Sequence, residues 1–255
     1  MNNSTEANIT STTFDKRNKA ETEGITVTAD TENRSDSYNI AAGVSAAGTA
    51  AVSGNVAVTQ THGTSGAVID GAIINNAKAV SAYALDDTDI LSVIGTVSAA
   101  GTAAVGAGVA YTEIGSTSTN EDEAQQTVAA IENTDITTAA SASGSTVSAQ
   151  ATDSSKVINV AVGIGGAGTA AVQGASATSL VNKTIAANIT DTNIDENTKN
   201  SKNANVTIEA VNDTEITSSA DVAAVAGTGA GVCEVCRYRI KQKYAGCFKR
   251  RHDER

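Results

Sequence analysis
Small apolar and polar residues alternate along much of the chain. Val80-Ser81-Ala82-Tyr83-Ala84-Leu85 has the period of two expected of a half-buried strand. The pattern returns at Val27-Thr28-Ala29, Val147-Ser148-Ala149 and Val206-Thr207-Ile208. A second block of small residues runs Ala47-Gly48-Thr49-Ala50-Ala51-Val52 and recurs over 100–105 and 167–172, with a looser copy at Ala226-Gly227-Thr228-Gly229-Ala230. A third block is a short strand leading into a turn: Ala7-Asn8-Ile9-Thr10, Ala67-Val68-Ile69-Asp70, Ala129-Ala130-Ile131-Glu132 and Ala187-Asn188-Ile189-Thr190. Asp70-Gly71, Glu132-Asn133 and Asp191-Thr192-Asn193 supply turn residues.

The spacing of the blocks is regular. Val27 to Gly48, Val80 to Gly101, Val147 to Gly168 and Val206 to Gly227 are each 21 residues. Gly48 to Ile69 and Gly168 to Ile189 are also 21. Gly101 to Ile131 is 30, and the nine extra residues fall in the polar stretch 116–124. The link from each Ile to the next Val varies from 11 to 18, so the full sequence period is near 60. Internal repeats of this size signal stacked architectures. The reading is an all-β solenoid of parallel strands with about 20 residues per rung. Three rungs in each of four periods then make a rod on the order of 60 Å long. Val, Ile and Thr favour strands, and the complete lack of proline suits uninterrupted ladders.

Composition narrows the fold further. Only seven of the 255 residues are aromatic and none is tryptophan. A core without large rings must be thin, because aromatic side chains carry the largest buried areas. The formal charge is −11, unevenly spread. The segment 233–255 takes eight of the 17 Lys/Arg and three of the 28 Asp/Glu, leaving nine against 25, a net of −16, over 1–232. So acidic a body repels nucleic acid. The start, Met1-Asn2-Asn3-Ser4-Thr5-Glu6, has neither the basic nor the apolar region of a signal peptide. Ala7 to Asp15 matches Ala187 to Asp195, so the chain begins within a repeat, as an internal piece of a longer protein would.

Residues 233–255 form a non-repeat basic tail that holds all three cysteines. Cys233, Cys236, Cys247 and His252 are permissible zinc ligands, but their spacing matches no established zinc pattern. A shifted reading frame accounts for the tail better. Back-translated and read one base later, it gives A-K-C-A-V-I-A-L-N-K-N-T-Q-A-V-L, similar to the stretch from Leu180 to Asp191, and A-V-L then ends at Phe248, 21 residues after Gly227. On this reading the tail is not natively structured and its cysteines have no evolved role.

No catalytic, cofactor-binding or metal site is expected. The uncharged run from Val93 to Ala110 has a membrane-spanning length, but its four glycines and its recurrence in each repeat make it a buried rung instead. Gly163-x-Gly165-Gly166-x-Gly168 lacks the strand–turn–helix setting of a phosphate-binding loop and is read as tight rung packing. Asp86-Asp87-Thr88-Asp89 and the stretch from Asp191 to Glu196 carry oxygen ligands suited to calcium, yet neither follows a calcium-loop pattern; both are read as solvated turns. His62, beside Gly63, is read as a polar loop residue, and no nucleophile–base set accompanies it.

The repeated V-S-A-A-G-T-A-A-V blocks and the A-x-I-x-[DN]-[TG] turns over residues 7–232 resemble the repeat regions of filamentous haemagglutinin-type exoproteins. Among those, leukotoxin-like filamentous adhesins of anaerobic Gram-negative bacteria are similar in repeat style. The resemblance implies a right-handed parallel β-helix, secreted by a two-partner or autotransporter route and displayed on the bacterial cell surface. Its implied role is cell adhesion, with host cells, matrix or other bacteria as partners. The chain is then a stalk segment, not an enzyme, without cofactor and not membrane-spanning, and open to end-to-end self-association. The alternative is a ligand-binding solenoid, either a calcium-dependent or an ice-binding surface protein; the latter requires regular outward threonine arrays.

Overall fold
The structure is a computed structural model that describes residues 2–15, 24–116, 124–139, 144–194 and 204–249. Among the described residues the regular structure is entirely strand. The chain lays down β1 (Asn2–Thr10), then β2 (Thr13–Phe14) and β3 (Ile25–Ala47). It returns as β4 (Ala50–Asp70) and goes out again as β5 (Ile73–Ala100). The next coil is β6 (Ala103–Ile114) with β7 (Gln125–Glu132), followed by β8 (Asp135–Thr138), β9 (Ser145–Asp153) and β10 (Lys156–Ala167). Then come β11 (Ala170–Thr190), the trio β12 (Asn193–Ile194), β13 (Ala204–Asn212) and β14 (Glu215–Ala226), and finally β15 (Gly229–Lys249).

Two parallel sheets result. One stacks β1, β4, β6 with β7, β11 and β15. The other stacks β2 with β3, then β5, then β8 to β10, then β12 to β14. Each coil therefore contributes one long run to each sheet, an arrangement compatible with a β-solenoid.

The register corrects the expected rung of about 20 residues. Val27 lies beside Val80, Val80 beside Val147 and Val147 beside Val206, at intervals of 53, 67 and 59. Ile9, Ile69, Ile131 and Ile189 form a column at intervals of 60, 62 and 58. The 21-residue spacing is the distance along a strand to its turn, not the circumference of a coil. At about 3.3 Å per residue the 28 residues of β5 have a contour on the order of 90 Å. Four or five layers about 4.8 Å apart make a stack on the order of 20 Å high. The long dimension thus lies along the strands, where a rod along the stacking axis was expected.

Two columns of turns join the sheets. At one end Gly48, Gly101, Gly168 and Gly227 follow one another, tied by Gly101 N–H to Ala47 O (3.2 Å) and Gly168 N–H to Ala100 O (3.3 Å). At the other end Ser11, Gly71, Asn133 and Asp191 occupy the same left-handed conformation, with φ of 49°, 63°, 48° and 48°. Glycine, asparagine and aspartate tolerate this region, which is why turn residues recur there. The next turn position holds Thr12, Thr134 and Thr192, whose hydroxyls donate back two residues to the carbonyls of Thr10, Glu132 and Thr190.

Between the sheets the core is thin, as the composition requires. Near the second turn it is apolar, with Ile69, Ile74, Ile131, Ile185, Ile189, Val80 and Val147 fully buried. Burying each side chain of this size contributes about 1.5–3 kcal/mol. Toward the glycine turns the interior shrinks to Ala57, Ala110, Ala161, Ala175 and Ala177 around Ile94.

Insertions sit where the spacing placed them. Ile114 pairs with Thr61 and Gln126 with Thr64, so the chain has nine more residues between these two pairs than β4 has; residues 117–123 lie outside the described ones. The stretch from Val93 to Ala110 comprises the end of β5, the Gly101 turn and the start of β6. Ile94, Thr96 and Ala104 face inward and are buried, whereas Val97 and Val105 face outward and are exposed, so a wholly buried rung is only half right. Among the described residues no helix is long and apolar enough to cross a membrane. The segment expected to leave the repeat at Cys233 stays in the ladder as β15, paired with β11 as far as Thr190 opposite Lys249. Backbone pairing to an exposed strand edge demands little of side-chain identity. Residues 250–255 lie outside the described ones.

Candidate functional site: a buried ion-pair cluster
The alternation that begins at each repeat valine does not stop at the apolar residues. Six residues after Val27, Val80, Val147 and Val206 stand Asn33, Asp86, Asp153 and Asn212, each followed two residues later by Ser or Thr. The strand period turns all four toward the interior, and the register stacks them in one column. From the facing sheet, Val181, Lys183 and Ile185 of β11 point into the same layer, all buried.

Lys183 donates from Nζ to both carboxylate oxygens of Asp153 at 2.7 Å and to Ser155 Oγ at 2.5 Å. Asp86 Oδ2 is 4.0 Å from the same nitrogen. The three charged side chains are no more than 1% exposed. Asp86 also accepts from Gln125 Nε2 of β7 and from Asn33 Nδ2 at 2.9 Å. Thr88 Oγ1 lies 3.4 Å from Asp86 Oδ1. Thr214 donates to Asp153 Oδ1 at 3.3 Å. Asn3 Nδ2 continues the chain to Asn33 Oδ1 at 2.5 Å. The polar column therefore crosses all the layers, from β1 to the turn after β13.

Two carboxylates share one ammonium. Burial is the main reason that the Asp86 carboxyl is raised to about 6; Lys183 pulls it down, Asp153 pushes it up, and the amides of Gln125 and Asn33 lower it again. Buried pairs of this kind contribute little net stability but are costly to break.

Two further polar columns cross the thinner part of the core. Asn159 Nδ2 donates to Thr178 O at 2.7 Å and Ala110 O at 3.2 Å. Gln173, fully buried, donates to Ser98 Oγ. Its amide occupies the space that a side chain at Gly165 or Gly106 would need. Of the Gly163 to Gly168 segment, expected to pack rungs tightly, Gly168 lies against the Gly101 carbonyl of the neighbouring coil and Gly165 makes room for Gln173 of the facing sheet, whereas Gly166 has nothing within 4 Å.

The structure corrects two sequence expectations about charged and polar positions. Asp86-Asp87-Thr88-Asp89 is not a solvated turn but the middle of β5, with Asp86 and Thr88 buried. His62 lies in β4, not in a loop. Asp191 does sit in a turn, while Asp195 and Glu196 lie outside the described residues. Cys233, Cys236 and Cys247 are exposed free thiols, and His252 lies outside the described residues. No trio of His, Cys, Asp or Glu disposed for a metal occurs among the described residues. Threonines 49, 102, 169 and 228 form one exposed column at the glycine turns. The signal for the cluster was present as the recurrent [ND]-x-[ST] six residues after each valine; Lys183 has no such repeat signature. No family model, curated protein or solved structure matches the chain.

Proposed function
We propose that the chain is a structural stalk segment of a secreted bacterial surface adhesin of filamentous haemagglutinin type, with its coils wound as a right-handed β-solenoid. The observation that carries this reading is the in-register stacking of four copies of one repeat, which resumes the same register on both sides of the nine-residue length difference between β6 and β7. Such a stack adds coils without changing its cross-section, which is what a spacer between a cell and its target requires. Under the same reading residues 233–255 are the product of a shifted frame. Sequencing the flanking DNA tests both points. The proposal expects further coils in the same register, an export signal upstream, and a repeat-like frame one base from that of the tail. Unrelated flanks without a secretion signal would refute it. Beads coated with the folded chain should be retained on host cells, matrix or bacteria beyond beads coated with the heat-unfolded chain. Equal retention would limit the segment to spacing.

A further inference from the structure
The Lys183–Asp153 pair has the geometry of a bond-forming encounter as well as of an ion pair. With both carboxylate oxygens 2.7 Å from Nζ, the carboxyl carbon lies roughly 3 Å from the nitrogen, the range in which held reactants react as if at very high concentration. Rotation about the Cβ–Cγ bond of Asp153 presents the face of its carboxyl to the amine. The side chains are sealed from water, so no solvent nucleophile competes with the lysine nitrogen for the carboxyl carbon. Asp86 stands 4.0 Å from Nζ, oriented by Asn33 and Gln125. The titratable groups around Asp86 are Lys183 on β11 and Asp153 on β9; β3 and β7 bring only amides to it.

We propose that Lys183 and Asp153 condense to an intramolecular amide, a covalent strut between the two sheets, with Asp86 carrying the protons. The Lys183 ammonium first gives a proton to the Asp153 carboxylate. Asp86, in its acid form, hydrogen-bonds to and protonates a carboxyl oxygen as the Nζ lone pair adds to Cγ. The tetrahedral intermediate then breaks one C–O bond. That oxygen leaves as water with two of the three ammonium hydrogens, and the amide keeps the third. Asp86 recovers its proton from nitrogen, so nothing is oxidised or reduced and one water is the only product besides the bond. The reaction removes both buried charges of the pair and leaves Asp86 as the only ionisable group of the cluster. The strut closes the 30-residue excursion between Asp153 and Lys183, fastening the thin, alanine-lined part of the stack at its base. The inference rests on the geometry of the cluster and not on the adhesin reading.

The test is the intact mass of the purified full chain, denatured after incubation in the folded state. The expected result is a mass lower than the sequence mass by one water. Trypsin should leave Lys183 uncut and join peptide 79–156 to peptide 157–199. Asp86→Asn should keep the β circular dichroism spectrum and lose the bond. Lys183→Arg should also retain the full sequence mass. In the wild type the rate of water loss should fall as pH rises past the Asp86 titration. A folded wild-type chain that keeps its full mass overturns the proposal. A water lost within peptide 79–156 alone, as a succinimide at Asp153-Ser154, with Lys183 cut normally, also overturns it. Equal bond formation in Asp86→Asn overturns the role given to Asp86. None of these readings depends on adherence.

Discussion

The glycine turns allow one substitution to be made four times in equivalent positions. A Cβ added at Gly101 would lie 3.2 Å from the carbonyl carbon of Gly48 and closer still to its oxygen. The same overlap recurs at Gly168 against Gly101, with the carbon at 3.3 Å, and at Gly227 against Gly168, with the carbon at 3.5 Å. At Gly48 there is nothing within 4 Å. The obstructing atoms are backbone, so relief requires the coils to separate locally. Such overpacking costs about 1–3 kcal/mol. Separation also strains the bonds from Gly101 N–H to Ala47 O and from Thr102 N–H to Thr49 O (3.0 Å), each worth about 1 kcal/mol. Gly48→Ala meets no obstacle and should gain about 0.4–1 kcal/mol from the stiffer unfolded chain. The expected difference between Gly101→Ala and Gly48→Ala is therefore about 3 kcal/mol. With a urea slope of about 3 kcal/mol/M this separates their midpoints by about 1 M. Urea titration followed by far-UV circular dichroism reads it. Gly168→Ala and Gly227→Ala should fall with Gly101→Ala. Equal shifts at all four sites, or the largest loss at Gly48, would refute the stacking of these turns.

The buried cluster gives two more expectations. Against the wild-type chain taken before the amide forms, Lys183→Met leaves two carboxylates without their cation and should cost about 3–5 kcal/mol in urea titration. The exposed pair Lys156–Glu215, at 3.5 Å, makes the control: Lys156→Met should change stability by no more than about 1 kcal/mol. Asp86 also gives the fold an inverted pH dependence. Its folded-state value of about 6 lies above the unfolded value of about 3.9, so the native state holds a proton that the unfolded state releases. Its contribution is full below about pH 4 and is lost as pH rises through 6, with about 3 kcal/mol at stake. Thermal melts at constant ionic strength should place the midpoint higher at pH 5 than at pH 7.5, and Asp86→Asn should flatten that difference.

Much of the fold was legible because strand stacking repeats chemistry at fixed intervals. The valine and isoleucine columns, the Asp70-Gly71, Glu132-Asn133 and Asp191-Thr192 turns and the nine-residue insertion before β7 all follow from spacing. The circumference did not, because a 21-residue interval is equally the length of a strand between turns and the circumference of a narrow coil. Only pairing partners separate the two, and those are 52 to 67 residues apart. The cluster was hidden for a related reason. Asp86-Asp87-Thr88-Asp89 looks like a solvated turn as long as each charge is weighed alone. The cation that makes Asp86 and Asp153 tolerable inside stands on the opposite sheet in the next coil, at a position where the other repeats carry no lysine. A local pattern cannot show a partner brought in by the winding of the chain.

The central claim, that one coil takes about 60 residues and not 20, is tested most directly by nitroxide spin labels on a chain whose Cys233, Cys236 and Cys247 are replaced by serine. Val52, Val105 and Val172 are neighbours in register and exposed on the outer face. Labels at 52 and 105, or at 105 and 172, stand on adjacent strands about 4.8 Å apart, so their continuous-wave spectra should show strong dipolar broadening. Labels at 52 and 73, which a 20-residue rung would stack, should show none. Broadening for 52 with 73 and its absence for 52 with 105 would contradict the architecture described.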